Sequence, residues 1–96
     1  MEVLTMSGIR IKLIDGVFDP SDANEVVSDV ITKKINFHTL KSLGSDEKYG
    51  YPDKASINRI SELKDDMARM KEFISQAKLE GKQLKINATI NFTLVE

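Results

Sequence analysis

The chain has no cysteine, so disulfide bonds, cysteine-ligated zinc and thiol catalysis are all excluded. It also has no apolar run near the roughly 20 residues that a membrane-spanning helix needs. A glycine-rich phosphate loop, a zinc-binding spacing and a Ser-His-Asp order with supporting context are missing as well. We therefore expect no enzyme activity, no cofactor, no bound metal and no membrane partner.

An excess of charge of one sign is also lacking, because 14 basic and 15 acidic side chains leave a net charge of -1. Nucleic acid and anionic membranes favour proteins with a clear basic excess, so neither is expected as the main partner. Residues 1–7 are too short and too acidic to resemble a signal segment. We expect a complete, cytoplasmic protein with a single domain that spans residues 1–96.

The clearest element in the sequence is the last strand, which we predict at about 84–95. Apolar and polar residues alternate along it, which is the pattern of a strand with one buried face. Six residues form the apolar side: Leu84, Ile86, Ala88, Ile90, Phe92 and Leu94. A long strand with an unpaired edge favours pairing with a second chain.

A first strand is predicted at about 7–14, where apolar and polar residues again alternate. Ile9, Ile11 and Leu13 share one side of this strand. The dipeptide Asp15-Gly16 is typical of a turn, so we expect the strand to end before it.

Two helices are predicted between the strands, at about 20–43 and 53–80. Asp19 and Asp53 are suitable N-caps, and Gly44 is a suitable end for the first helix. The second helix carries six apolar residues in heptad spacing, which is typical of a helix packed lengthwise against another. These residues are Ile60, Leu63, Met67, Met70, Ile74 and Ala77.

The order of elements predicts an α+β fold, β-α-α-β, with a long antiparallel helical hairpin packed on a small antiparallel two-stranded sheet. We expect the apolar face of the sheet to cover the apolar stripes of the helices. Because two strands are only marginally stable alone, we also expect a homodimer. The two copies join either edge to edge through their sheets or through their helical hairpins. The alternative is a monomer whose N-terminal segment covers the open edge.

Two groups of residues are candidates for contact with a protein partner. Tyr49 and Tyr51 bracket a glycine in the loop between the helices, and tyrosine offers a large contact area with a polar tip. The other interpretation of this loop is that both rings fold back and plug the end of the hairpin. On the last strand, the candidates are Ile90, Phe92 and Leu94.

These features predict a small protein-interaction or assembly module. One alternative is a nucleic-acid-associated regulator with a modest basic patch. The patch consists of Arg10, Lys12, Lys33, Lys34, Lys82 and Lys85. Another alternative is a small-ligand-binding protein whose site lies between sheet and hairpin, roofed by Tyr49 and Tyr51.

Two further groups are expected to be structural. Asp15, Asp19 and Asp22 do not have the spacing of a calcium-binding loop, and the last two suit the start of a helix. His38 is the only histidine, and the sequence places no catalytic companion beside it.

Overall fold

Two long helices lie between two strands in the order β-α-α-β. The computed structural model describes residues 7–96. Strand β1 spans Gly8–Phe18, helix α1 spans Pro20–Tyr49, helix α2 spans Lys54–Leu79 and strand β2 spans Leu84–Thr93. The helices form an antiparallel hairpin, and the strands pair in an antiparallel two-stranded sheet. The predicted α+β class with a helical hairpin is confirmed.

Helix α1 starts at its predicted cap but runs past its predicted end. The carboxylate of Asp19 accepts a hydrogen bond from the backbone N–H of Asp22 at 2.8 Å. The prediction that Gly44 ends the helix is wrong, because one glycine costs only about 1 kcal/mol inside a helix whose other residues favour it. The helix ends at Gly50, which has φ of 80° and donates its N–H to the carbonyl of Asp46 at 2.9 Å.

The start of α2 is held by Asp53, whose carboxylate accepts a hydrogen bond from the backbone N–H of Ser56 at 3.2 Å. The loop between the helices is reduced to residues 50–53. After α2, Gly81 takes a φ of 65°, a conformation that glycine adopts readily, and the chain turns into β2.

Strand β1 contains a β-bulge at Leu13, and this bulge changes which residues share a face. The register shifts between Lys12 and Ile14, so Ile14 rather than Leu13 continues the apolar face begun by Ile9 and Ile11. The prediction for Leu13 was therefore wrong. The strand also continues through Asp15-Gly16 to Phe18 instead of ending near residue 14.

The pairing of β1 with β2 gives the sheet one apolar and one polar face. Directly opposed residues point to the same side of an antiparallel pair. The apolar face carries Ile9, Ile11, Ile14, Gly16 and Phe18 of β1 opposite Phe92, Ile90, Ala88, Ile86 and Leu84 of β2.

The sheet and the helical hairpin form the two arms of an L. The Cα positions extend over 50 × 36 × 14 Å. At 1.5 Å per residue α1 is about 45 Å long, and at 3.3 Å per residue β1 is about 36 Å long. Laid end to end, the two arms would span about 80 Å, so a longest dimension of 50 Å means that they meet at an angle. The 14 Å dimension matches the width of two helices packed about 10 Å apart, which agrees with a sheet that rises from the face of the hairpin.

This shape leaves little room for a core. Among residues 7–96 only three apolar side chains are buried, namely Ala23, Leu63 and Ala77. The radius of gyration is 17.1 Å, whereas a compact chain of this length has about 12.5 Å. Contacts between helices and strands are sparse compared with those inside each arm. The sheet consequently covers only the adjacent end of the hairpin, less than the sequence predicts.

Candidate association surface

The apolar face of the sheet becomes more exposed with distance from the hairpin. Near the hairpin, Phe18, Leu84 and Ile86 are half-buried. Farther out, Ile90 is 39% exposed and Phe92 is 56% exposed. Leu94 follows the strand and is largely exposed. Three predicted contact residues, Ile90, Phe92 and Leu94, therefore lie in the outer part of this face.

A second apolar surface lies on one face of the hairpin, which we call the open hairpin face. An open groove of about 780 Å³ runs between the helices there. Val27 and Ile31 of α1 and Met70 and Phe73 of α2 line it. Polar residues, including Arg69, complete its wall.

Helix α1 continues the open hairpin face with a stripe of apolar residues that α2 does not cover. This outer stripe consists of Val26, Val30, Phe37 and Leu40, and the last three are exposed. Their spacing of three, four and seven residues places them on one side of the helix, where Lys33 lies between Val30 and Phe37. At 100° per residue Val30 and Phe37 lie about 60° and 80° from Val27, whereas Leu40 lies about 140° from Val27 and points away from the groove. Ser21 and Asn24 line a separate groove.

The sequence alone does not separate Phe37 and Leu40 from the apolar residues of α1 that contact α2. In the pairs Val26-Val27 and Val30-Ile31 one member faces the groove and the other belongs to the outer stripe. Such adjacent pairs also occur in a single broad apolar stripe, so the sequence gives no separate signal for the second one.

The two apolar surfaces meet in the inner angle of the L. A cleft of about 200 Å³ at this corner is lined by Phe73 and Ala77 of α2 and by Leu84 of β2. Phe73 belongs to the open hairpin face, and Leu84 belongs to the apolar face of the sheet. Four polar residues, Gln76, Glu80, Lys82 and Gln83, also line this cleft, so the two apolar surfaces meet at a corner of mixed polarity.

Tyr49 and Tyr51 lie at the turn of the hairpin, at the end opposite to the sheet. Their rings stack at a centroid distance of 6.0 Å and are 58% and 61% exposed. The rings therefore do not plug the end of the hairpin. Because α1 separates them from the sheet by about 45 Å, they also do not roof a site between sheet and hairpin.

The six basic residues of the predicted patch do not gather in one place. Arg10 and Lys12 share the polar face of the sheet with Lys85, but Lys12 pairs with Asp15 at 3.3 Å. Lys33 and Lys34 lie in the middle of α1. Lys82 follows α2 and pairs with Glu80 at 3.0 Å.

His38 has a companion that sequence reasoning missed. Its Nδ1 lies 3.1 Å from the hydroxyl oxygen of Ser56, and hydrogen bonds from Ser56 lower the pKa of Asp53. Ser56 is 1% exposed, and a nucleophile must be reachable by its substrate. The geometry favours a structural tie between the helices. Nε2 of His38 is buried and has no hydrogen-bond partner within the part of the chain that the structure describes.

The surroundings of His38 lower its pKa from the ordinary value of 6.5. The first cause is desolvation, which disfavours the charged ring. The cations Lys34, Lys41 and Arg59 lower the pKa further, and Asp53 opposes them.

Replacing His38 by glutamine should remove part of the pH dependence of stability between about pH 7.5 and pH 5. The unfolded chain binds the imidazole proton at a higher pH than the folded protein does. The stabilisation is therefore present above about pH 6.5 and is lost as the pH falls through the folded pKa. Urea-unfolding midpoints at both pH values, at one protein concentration, measure this difference.

Two carboxylates with lowered pKa values titrate below this window. Hydrogen bonds from Ser56 lower the pKa of Asp53 from 3.8, and hydrogen bonds from Lys82 and Gln76 lower that of Glu80 from 4.5. If the urea-unfolding midpoint of H38Q falls as much between about pH 7.5 and pH 5 as that of the wild type, the pH dependence does not come from His38.

The acidic residues Asp15, Asp19 and Asp22 serve local structure. Asp15 pairs with Lys12, and Asp19 caps α1. Within residues 7–96 no group of three His, Cys, Asp or Glu side chains is placed to hold a metal ion. No helix in the same range is long and apolar enough to cross a membrane.

No protein-family model matches the chain, and comparisons with curated proteins and with solved structures gave no significant match. A functional proposal must therefore come from the surfaces of this chain itself.

Proposed function

We propose that the chain is a cytoplasmic homodimeric assembly module that uses its exposed apolar surfaces to bind protein. A cysteine-free sequence is compatible with a reducing compartment. The hydroxyl of Ser56 beside His38 is buried, which agrees with a structural part for this pair.

The surface area of the single chain carries this proposal. The chain exposes 7853 Å², whereas a compact monomer of this mass exposes roughly 5,500 Å². The excess of roughly 2,000 Å² is comparable to the area that each copy buries in an obligate dimer. Much of it is apolar, because the outer stripe and the outer part of the sheet lack cover.

Sedimentation velocity tests the proposal. We expect a species of twice the 10.8 kDa chain mass at about 1 μM and at about 100 μM. A species of 10.8 kDa across that range would overturn the proposal.

Nucleic-acid binding has less support from the geometry. The basic side chains are dispersed, and Lys12 and Lys82 are each paired with a carboxylate. Phosphate contacts would make such binding strongly salt-dependent, so a mobility shift at low salt that disappears at high salt would favour this alternative.

A further inference from the structure

The inner angle of the L has the shape and chemistry of a protein-binding site, and its occupant follows from the fold. One arm offers the open hairpin face, and the other arm offers the apolar face of the sheet. The sheet of the same chain cannot close the angle by folding onto the hairpin. Only Asp19 joins β1 to α1, and four residues join α2 to β2.

We propose that a second copy of the chain fills this angle, antiparallel to the first, with the open hairpin faces packed against each other. This inference rests on the proposed homodimer and adds its geometry. The sheet of each copy then covers the turn of the partner's hairpin. The two hairpins form a four-helix core, and the two sheets enclose it from opposite ends.

The dimensions of the arms suit this arrangement. A partner hairpin packed on the open face lies about 10 Å above the first hairpin. Strand β1 is about 36 Å long, so the sheet is long enough to reach past the partner's helices. The hairpin is about as long as α1, roughly 45 Å, so an antiparallel partner places its turn beside the sheet.

The proposal also accounts for exposed apolar side chains in three separate regions. The outer stripe of α1 packs in the four-helix core, where its spacing suits helix pairing. Tyr49 and Tyr51 at the turn meet the outer part of the partner's sheet, which includes Ile90. Edge-to-edge pairing of the sheets would leave the outer stripe and the tyrosines exposed.

Two-fold symmetry favours a second copy over an unrelated protein. One axis brings the sheet of each copy to the turn of the other, so both concavities are filled in one closed dimer. The excess area of roughly 2,000 Å² per chain is in the range that an obligate dimer buries.

A double variant with Ile90→Cys and Tyr51→Cys tests this geometry directly, because the chain has no other cysteine. Within one chain the two positions lie near opposite ends of the hairpin, about 45 Å apart along α1. A disulfide needs Cα atoms within about 7 Å, so only a bond between copies can form. We expect oxidation to give a covalent dimer at about ten times the rate of the control, because only aligned cysteines approach bonding distance.

The matched control combines Thr89→Cys with Tyr51→Cys, because Thr89 lies on the polar face of the same strand. If sedimentation shows a dimer but the Ile90→Cys, Tyr51→Cys variant cross-links no faster than this control, the antiparallel geometry is overturned and the homodimer stands. A monomer would overturn the homodimer and this inference with it. Both substituted pairs are exposed, so circular dichroism should show unchanged helix content in either variant.

Discussion

Replacing Leu63 by alanine should lower the melting temperature by roughly 10–25 °C. Leu63 is 6% exposed and is the only large apolar side chain that is buried among residues 7–96. Removing a buried leucine side chain costs about 2–5 kcal/mol, from lost burial and from the cavity that remains. Domains of this size are stable by only about 5–15 kcal/mol, so the loss is a large fraction of the total.

Leu79→Ala is the matched control, because the same atoms are removed from a largely exposed position on the same helix. We expect its stability to stay within about 0.5 kcal/mol of the wild type. Thermal unfolding of all three proteins at one concentration gives the comparison. Equal losses in the two variants would show that Leu63 does not anchor the hairpin.

The sequence predicts elements well where a local pattern alone decides them. The N-caps Asp19 and Asp53 each act through a hydrogen bond that spans three residues. The alternation along β2 needs only its own residues to be recognised, and the heptad of α2 is equally local. Leu63 was placed on the contact side of α2 by this spacing alone.

The missed features depend on interactions between distant residues. The bulge at Leu13 follows from the register with β2, although the adjacent pair Leu13-Ile14 already broke the alternation. The contact between His38 and Ser56 could not be found by pairing residues at equal distances from the middle of the loop. After α1 ends, the chain runs back beside α1 before α2 begins, and there the Ser45 hydroxyl donates to the carbonyl of Tyr51 at 3.0 Å. Ser56, near the start of α2, therefore already lies beside His38.

The angle between the two arms has no local sequence signal at all. It depends on contacts between distant residues at the corner, where Leu84 of β2 lies beside Phe73 and Ala77 of α2. For this reason the sequence predicts association from a need to cover apolar surface but leaves its mode open between sheet edges and helix faces. The predicted partner residues Ile90 and Tyr51 lie far apart in one chain, and the antiparallel dimer proposed above would bring them together.

Charging the outer stripe should dissociate the proposed dimer without unfolding the helices. A variant with Phe37→Asp and Leu40→Asp replaces two exposed apolar side chains of the outer stripe. Each lost burial is worth about 1.5 kcal/mol or more, and a symmetric dimer contains each position twice. The combined loss of about 6 kcal/mol corresponds to a rise in Kd on the order of 10⁴-fold.

The control variant carries two aspartates at exposed polar positions of the same helix, Thr32→Asp and Thr39→Asp. At 100° per residue both positions lie at least about 80° from every residue of the outer stripe, so these carboxylates remain in water. Sedimentation at about 1 μM should show a monomer for the Phe37 and Leu40 variant and a dimer for the control. If both variants remain dimeric, the copies do not join through the open hairpin face, and the sheet edges become the contact to test. If both dissociate, added negative charge on α1 is the cause, because the control leaves every apolar side chain in place.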